Sequence, residues 1–288
     1  MRGLVLGFDT SCYTTSLAAM DENGFIKADL RLLLEVKPGD IGLRQQTALF
    51  QHWNNLPELL TRLQSCLDQP ILAVGFSAQP TPEAGSYLPV FTAGTNLASS
   101  LALVLKVPSF GFTHQEGHIA AGRFGAQGPG ASEFLAVHIS GGTSEVLSVT
   151  DTQGGFHISV LARTLDLNAG QFVDRIGVAL GLPFPAGAAL EKMAQSMTTQ
   201  EISLPAPVIG KNLSFSGPTS AALRLIEQGA DRVALARAVF RCIANALEKV
   251  LRPIIDESGI RDVLFVGGCC LVTDLFVLVS LSGCNIRR

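Results

Sequence analysis

The sequence predicts an α/β protein built from two similar lobes. Short apolar runs alternate with helix-like stretches along the 288 residues, which is the pattern of a sheet covered by helices. Aligned without gaps, residues 4–24 lie over residues 134–154, and each copy reads as strand, small-residue turn, returning strand and Asp-x-x-Gly. Two copies that each open a stretch of similar length predict homologous lobes facing one another. We place these lobes at residues 1–128 and 129–288.

The individual elements follow from the apolar runs and from the residues that end them. Short apolar runs of four to six residues between polar or glycine-rich turns predict strands, and apolar residues at helical spacing predict helices. The predicted strands are residues 3–8, 16–20, 71–76, 109–112 and 263–266. The predicted helices are residues 43–67, 90–105 and the stretch after Gly170, and a loop is predicted at residues 122–132.

The composition excludes several classes of protein. With 47% hydrophobic and 16% charged residues, the chain is not intrinsically disordered. A net charge of −3 provides no general basic field, so an RNA contact would need a local patch or a partner. Asp9 interrupts the N-terminal apolar run, so no export signal is predicted, and the six cysteines are expected to be reduced core thiols in the cytoplasm.

The apolar segment at residues 263–284 is the candidate membrane span. Asp274 is its sole charge, and a charge at the centre of a bilayer costs about 2.5–3.5 kcal/mol. Gly267 and Gly268 split the segment, and the four residues before them have the length and branching of a buried strand. We therefore predict two buried core elements and no membrane span.

The two turns of the repeat give the first functional signal. Small residues leave backbone N–H groups and hydroxyls able to surround phosphate oxygens, as residues 9–12 and 139–144 would. Two such turns across a cleft would hold the phosphates of a nucleotide from both sides. The alternative is that both are ordinary β-turns.

A pair of histidines gives the second signal. His114 and His118 are four residues apart, so on a helix their imidazoles share one face and suit Zn or Fe. The intervening glutamate, Glu116, stands at the third position, which is not the metalloprotease pattern. Two histidines do not complete a site, and their spacing also occurs by chance. His52 is expected to be a partly buried helix residue, and His157 has no supporting neighbours.

Taken in order along the chain, these motifs resemble the TsaD family of tRNA threonylcarbamoyladenosine synthases, formerly called glycoproteases or O-sialoglycoprotein endopeptidases. Residues 6–12 are similar to L-G-I-E-T-S-C, residues 114–118 to H-x-E-G-H and residues 140–143 to S-G-G-H-T. Residues 169–174 are similar to A-G-E-A-F-D, residues 180–187 to L-G-L-x-Y-P-G-G, residues 214–217 to F-S-F-S-G and residues 265–268 to a late A-G-G.

The resemblance implies an actin-like, sugar-kinase-like fold with a central nucleotide cleft. It implies an acyltransferase that moves threonylcarbamoyl from threonylcarbamoyl-AMP to N6 of adenosine-37 of tRNA, with one divalent Fe or Zn ion. TsaB-like and TsaE-like subunits and a homodimer are the implied partners, with no membrane. The implied metal ligands are His114 and His118; the implied substrate-binding residues are His138, Ile139, Ser140, Gly141, Gly142, Asp174 and Gly187; and Thr10, Ser11 and Thr143 would line the phosphate turns.

Some positions depart from the family pattern. Residues 12–15 read Cys-Tyr-Thr-Thr in place of C-D-E-T, and Thr143 replaces a histidine. Val272 stands where the family has an adenosine-binding asparagine, whose displaced counterpart would be Asn285. The family's aspartate ligand in a D-N-A context is missing, and Asp274 lacks that context. We expect a divergent, C-terminally shortened member, with a non-catalytic nucleotide-binding scaffold and a metalloendopeptidase as alternatives.

Overall fold

The computed structural model describes residues 2–37, 42–268 and 281–288. Their contacts divide the chain into two compact units, Met1–Gly117 and His118–Arg288. The boundary falls inside the helix His114–Gly125. The division after residue 128 that the sequence predicts lies in the loop following this helix, and it stays a prediction.

The first unit is a five-stranded sheet with helices packed on it. The strands occur in the order β3-β2-β1-β4-β5; β1, β2 and β3 are antiparallel, whereas β1, β4 and β5 are parallel. Apolar side chains of β1 and β2 form a core with two helices, α1 and α2. The elements are β1 (Leu4–Asp9), β2 (Thr14–Asp21), β3 (Ile26–Leu33), α1 (Gln45–Gln64), β4 (Ile71–Gln79), α2 (Phe91–Leu105), β5 (Ser109–Thr113) and α3 (His114–Gly125).

The second unit contains a sheet of the same design. Its order is β12-β11-β6-β7-β8, again with three antiparallel strands beside parallel ones. The long helix α7 supplies much of its buried core. The elements are β6 (Glu133–Ile139), β7 (Ser144–Thr152), β8 (Gly155–Arg163), α4 (Ala169–Ala179), α5 (Gly187–Ala194), β9 (Val208–Ile209), β10 (Asn212–Leu213), α6 (Ser216–Glu227), α7 (Arg232–Ser258), β11 (Asp262–Val266) and β12 (Asn285–Arg287).

The shared strand order confirms the internal repeat. In both units the Asp-x-x-Gly hairpin ends on a glycine with positive φ, 82° at Gly24 and 97° at Gly154. The two preceding turns differ, because Asp9 pairs with Ser16 whereas Ile139 pairs with Ser144. The turn of the second unit is therefore the tighter of the two.

The predicted strands and helices are confirmed within a few residues at their ends, but the loop predicted at residues 122–132 begins too early. Helix α3 continues to Gly125, and Gly122 within it packs directly on β11. A Cβ at Gly122 would lie 2.5 Å from Val266 Cγ1, so the glycine allows this close approach rather than ending the helix. Strand β3 was missed, although Ile26, Ala28, Leu30 and Leu32 alternate with polar residues.

The apolar segment near the C-terminus is confirmed in part. Residues 263–266 are buried in β11, as predicted. The second predicted core element falls mainly on residues 269–280, which lie outside the described residues together with Val272 and Asp274. Among the helices that the structure describes, none is long and apolar enough to cross a membrane.

The cysteines are only partly as expected. The four described cysteines are free thiols, in agreement with the prediction of reduced sulfur. Cys242 lies in the core, but Cys12 is exposed because it occupies the turn after β1, so the prediction of a core thiol is wrong there. Cys66 and Cys284 are half-buried.

Candidate functional site

Asp9 is the centre of a hydrogen-bonded cluster in the first unit. Its Oδ1 accepts from the backbone N–H of Ser11 at 2.8 Å, and its Oδ2 accepts from Ser77 Oγ at 2.6 Å. His114 Nδ1 lies 2.9 Å from the same Oδ2. The cluster forms because β1, β4 and β5 are neighbouring parallel strands whose carboxyl ends meet at one edge. Burial alone raises the pKa of Asp9, but His114 and the two serines outweigh it and hold that pKa far below its usual range.

Thr10 fixes the first turn to helix α2. Its hydroxyl is buried, donates to the Val90 carbonyl at 2.8 Å and accepts from the Gly94 N–H at 3.1 Å. Ser11 is also buried. The Thr10 side chain is thus used inside the unit, so a phosphate contact from this residue would have to come from its backbone. The phosphate role of Thr10 and Ser11 stays a prediction.

His52 anchors the same turn from helix α1. Its Nδ1 lies 2.9 Å from Thr15 Oγ1 and its Nε2 lies 3.1 Å from the Cys12 carbonyl oxygen. Burial lowers the pKa of the His52 imidazole. The residue is completely buried, more than the partial burial that the sequence predicts, and each ring nitrogen has a polar partner, one in strand β2 and one in the turn.

The start of helix α3 is a reciprocal capping box. The Glu116 N–H donates to Thr113 Oγ1 at 3.1 Å, while Glu116 Oε2 accepts from the Thr113 N–H at 2.8 Å and from its hydroxyl at 2.9 Å. This arrangement fixes the backbone at the first turn of α3, where His114 lies. It also occupies the glutamate that a metalloendopeptidase would need as a general base, which counts against that alternative.

In the second unit, His118 and His138 lie side by side. Their ring centroids are 4.9 Å apart at an interplanar angle of 48°, and His138 is buried at the end of β6. The sequence predicts core or backbone contacts for His138, the family resemblance implies a substrate contact, and neither predicts that it lies beside His118. Strand β6 ends beside α3, a relationship that spacing in the sequence does not reveal.

The donors present fit a metal that prefers nitrogen. His114 and His118 stand four residues apart on α3, and neutral imidazole suits Zn or Fe(II). Within residues 2–37, 42–268 and 281–288, no three His, Cys, Asp or Glu side chains gather closely enough to hold an ion. The two predicted ligands therefore stay a prediction that rests on their spacing and chemistry.

The second turn is compact and open on its outer side. The Ser140 N–H donates to the Thr143 carbonyl at 2.8 Å, and the Gly142 N–H donates to Ser140 Oγ at 3.2 Å. Gly141 and Gly142 are exposed, and a Cβ at either would meet no described atom within 4 Å. A ligand can therefore approach the backbone of these two glycines closely.

Two other glycines bring neighbouring backbone against this turn. A Cβ at Gly170 of α4 would lie 2.6 Å from the Ser140 carbonyl oxygen and 2.7 Å from the Gly141 nitrogen. Gly267, which follows β11 with φ 103°, lies so close to the Ile139 carbonyl oxygen that a Cβ would overlap it. The turn is thus held between the first turn of α4 and the end of β11.

A hydrogen bond brings Asp174 to the start of α5, while the adenosine-binding role of Asp174 and Gly187 stays a prediction. Asp174 Oδ1 accepts from the Ala186 N–H at 2.7 Å, directly before Gly187. Burial raises the pKa of Asp174, and the hydrogen bond from Ala186 offsets only part of this effect. The observed contact is with the backbone, not with Arg175, which is the partner that a surface ion pair would have used.

Asp166 organises the motif at residues 214–217. Its carboxylate accepts from Ser214 Oγ at 2.7 Å, from the Phe215 N–H at 2.8 Å and from the Ser216 N–H at 3.3 Å. Burial raises the pKa of Asp166, but these hydrogen bonds and that of the Leu167 N–H prevail and lower it to about 2. Sequence reasoning did not single out this role, because the partners are distant in the chain.

We expect Asp166→Asn to destabilise the protein near neutral pH and to lose this effect in acid. The folded pKa of about 2 lies below the ordinary value of 3.8, so the stabilisation is present above pH 3.8 and is lost as the pH falls toward 2. Because the side chain is partly exposed, we expect about 1 kcal/mol rather than the full value for several charged hydrogen bonds. Urea unfolding of both proteins from pH 7 downward measures it. A difference that does not shrink between pH 4 and pH 2 would contradict the assignment.

Comparison with known proteins gives a family match over most of the chain. The model of the family TsaD, described as tRNA N6-adenosine threonylcarbamoyltransferase, matches residues 50–275. A protein of Thermoplasma volcanium, named as a probable bifunctional tRNA threonylcarbamoyladenosine biosynthesis protein, is 29% identical over 97% of this chain and 51% of its own length. This chain therefore spans about half the length of that relative. A tRNA N6-adenosine threonylcarbamoyltransferase of Thermotoga neapolitana is 29% identical over 92% of this chain and 80% of its own length.

Solved structures agree on the fold. Full-length HypF, in a phosphate- and nucleotide-bound form, superimposes with a TM-score of 0.62 at 13% identity, over 99% of this chain and 52% of that chain. Lmo2764 of Listeria monocytogenes, named as a candidate N-acetylmannosamine kinase, superimposes with a TM-score of 0.51 at 11% identity, over 100% of this chain and 92% of that chain. These likenesses confirm the actin-like, sugar-kinase-like fold predicted for the chain.

Proposed function

The chain belongs to the TsaD family of tRNA N6-adenosine threonylcarbamoyltransferases, and on that premise we propose that it transfers threonylcarbamoyl from threonylcarbamoyl-AMP to N6 of adenosine-37 of tRNA. The observation that carries the proposal is the family match over residues 50–275, which includes the histidine pair, the second turn and the Asp174 region in one order. The reaction is an acyl transfer in which the adenine amine attacks the carbamoyl carbon and AMP leaves.

The second turn is proposed to hold the phosphate and carbamate of the donor. Residues 138–142 would place backbone N–H groups around the oxygens that gain charge as AMP departs. The exposure of Gly141 and Gly142 supports this role, since nothing described fills the space beside them. Thr143, at the end of the turn, would contribute its hydroxyl in place of the family's histidine.

Asp174 and Gly187 are proposed to hold the adenosine. The carboxylate of Asp174 already fixes the backbone at Ala186, so it places the first residue of α5. Its remaining acceptor capacity would serve a ribose hydroxyl, and Gly187 would allow the purine to approach the backbone without a side chain between them. Both roles rest on the family resemblance together with this contact.

His114 and His118 are proposed to hold one divalent Fe or Zn ion. When bound, such an ion would polarise the carbamoyl carbonyl toward attack. The other residues of the site would hold the two imidazoles in place and bind threonylcarbamoyl-AMP in one orientation. The net charge of −3 provides little general attraction for RNA, so we propose that tRNA binds through a local basic patch or with the help of a partner. The proposed partners are TsaB-like and TsaE-like subunits or a second copy of this chain, and the proposed location is the cytoplasm.

We expect His114→Ala and His118→Ala each to lower the rate of transfer by at least about 100-fold, the upper range for losing support of a metal site. The purified chain is incubated with threonylcarbamoyl-AMP, Fe or Zn and tRNA, and the modified nucleoside is quantified by mass spectrometry after digestion. The Thermotoga neapolitana relative serves as the positive control, and TsaB-like and TsaE-like subunits are added in a parallel reaction.

His157→Ala is the matched control variant, because His157 is an exposed histidine of β8 in neither the turn nor the helix. It should leave the rate unchanged. Absence of product from the unaltered chain, with donor and metal both bound and the positive control active, would refute the transferase and support a nucleotide-binding scaffold instead.

A further inference from the structure

The carboxylate of Asp9, at the end of β1, has hydrogen-bond partners on both of its oxygens. The Ser11 N–H donates to Oδ1, and Ser77 Oγ donates to Oδ2. Oδ2 also faces His114 Nδ1 at 2.9 Å, with the two side chains 29% and 21% exposed. Asp9, Ser77 and Thr113, the residue before His114, come from the carboxyl ends of three adjacent strands of one sheet. The order of the strands in the sheet therefore brings Asp9 and His114 together.

A neutral imidazole carries one proton and one lone pair, and only the nitrogen with the lone pair binds a metal. Because an ionised carboxylate is an acceptor only, Nδ1 of His114 must be the donor in this contact. In the neutral ring the lone pair then resides on Nε2. Carboxylates that accept from the second nitrogen of a histidine ligand fix its tautomer and ring orientation, and they increase its basicity.

We infer that Asp9 is a positioning residue that holds His114 in the tautomer with its lone pair on Nε2, which is the form of the ring that binds a transition metal of the Zn or Fe class through Nε2. This inference rests on the proposed function for its choice of ligand. It adds a residue that the metal motif itself does not contain, and it places Ser77 behind Asp9 as the group that orients the carboxylate.

Asp9→Asn tests this role because the replacement has the same shape. The Ser11 N–H needs an acceptor, so the amide oxygen of asparagine would face Ser11 and its NH2 group would face Ser77 and His114. An NH2 group donates to Nδ1 and favours the tautomer protonated on Nε2. We therefore expect Zn²⁺ affinity, measured by competition with a chromophoric chelator, to fall about 10- to 100-fold.

Ser77→Ala is the second variant, and it keeps the test valid if Asp9→Asn does not fold. It removes one hydrogen bond from the carboxylate without touching His114, and we expect a smaller loss of Zn²⁺ affinity in the same direction. Asp21→Asn is the matched control: Asp21 also accepts backbone N–H groups in this unit, from Asn23 and Phe25, but contacts no histidine. It should destabilise the fold slightly and leave Zn²⁺ affinity unchanged.

Nitrogen NMR of the metal-free protein in mildly alkaline buffer reads the tautomer of each histidine directly. We expect the Nδ1–H form for His114 in the unaltered chain and a shift toward the Nε2–H form in Asp9→Asn. A purely structural role for Asp9 would lower stability without this change. Unaltered tautomer and Zn²⁺ affinity in both variants would overturn the inference.

The outcomes separate this inference from the proposed function. An unaltered chain that binds no Zn²⁺ would overturn the positioning role, whatever the tautomer, while the transfer assay decides the function separately. If Zn²⁺ affinity falls in Asp9→Asn but the unaltered chain makes no modified nucleoside, the positioning role stands and the transferase does not.

Discussion

Gly267→Ala should destabilise the protein by about 2–5 kcal/mol. Gly267 has φ 103°, a conformation in which an L-residue with a side chain costs about 1–2 kcal/mol. The added methyl group would also overlap the Ile139 carbonyl oxygen and lie 3.1 Å from His138 Cδ2. Overpacking of this kind costs about 1–3 kcal/mol, and the nearest obstacle is backbone that has little freedom to move. The loss would be a large part of the 5–15 kcal/mol that stabilises a typical domain.

The neighbouring glycine is the control for Gly267→Ala. A Cβ at Gly268 would meet no described atom within 4 Å, and its φ lies outside the left-handed region. Gly268→Ala should therefore change the free energy of unfolding by less than about 1 kcal/mol. Both variants are compared by urea unfolding at equal protein concentration without added ligand. Equal free energies of unfolding for the two variants would show that Gly267 is not packed tightly against Ile139 at the start of the turn.

The fold could be predicted to a large extent because its signals are local. The repeat that aligns residues 4–24 with residues 134–154 has the same strand order in both units, and the hairpin glycines sit where Asp-x-x-Gly places them. Strand β3 contains no continuous apolar run, because charged residues occupy every second position from 27 to 31, and only its period of two indicates a strand. The end of α3 was misjudged since a glycine in a helix can mark close packing as well as termination.

The candidate site could be predicted in its residue types but not in its contacts. The spacing of His114 and His118 is visible in the sequence, whereas their partners come from strands: Asp9 of β1 contacts His114, and His138 of β6 contacts His118. Asp9 and His138 lie far from them along the chain, and hydrophobic pattern does not specify which strand ends meet. Asp166 illustrates the same limit, because its partners Ser214 and Phe215 lie 48 and 49 residues away along the chain.

Gly170, at the start of α4, packs against the same turn at residues 139–144 that Gly267 contacts. Gly170→Ala places a Cβ 2.6 Å from the Ser140 carbonyl oxygen and 2.7 Å from the Gly141 nitrogen, both backbone atoms. Either α4 or the turn has to move, and this overpacking alone costs about 1–3 kcal/mol in the free energy of unfolding. The helix itself would gain from alanine, by roughly 0.5–1 kcal/mol, so the observed loss is the difference between the two effects.

Gly217→Ala separates these two effects. Gly217 lies in the first turn of α6, and a Cβ there would meet no described atom within 4 Å, so this variant should show only the gain in helix propensity. Binding of threonylcarbamoyl-AMP is the more informative measurement. If the turn moves to relieve the contact, Gly170→Ala should bind the donor at least about tenfold more weakly, since a shift of backbone donors loses about one charged hydrogen bond. Lower stability with unchanged donor affinity would mean that α4 yields and the turn does not, and the phosphate role of residues 138–142 would then have to rest on the family resemblance alone.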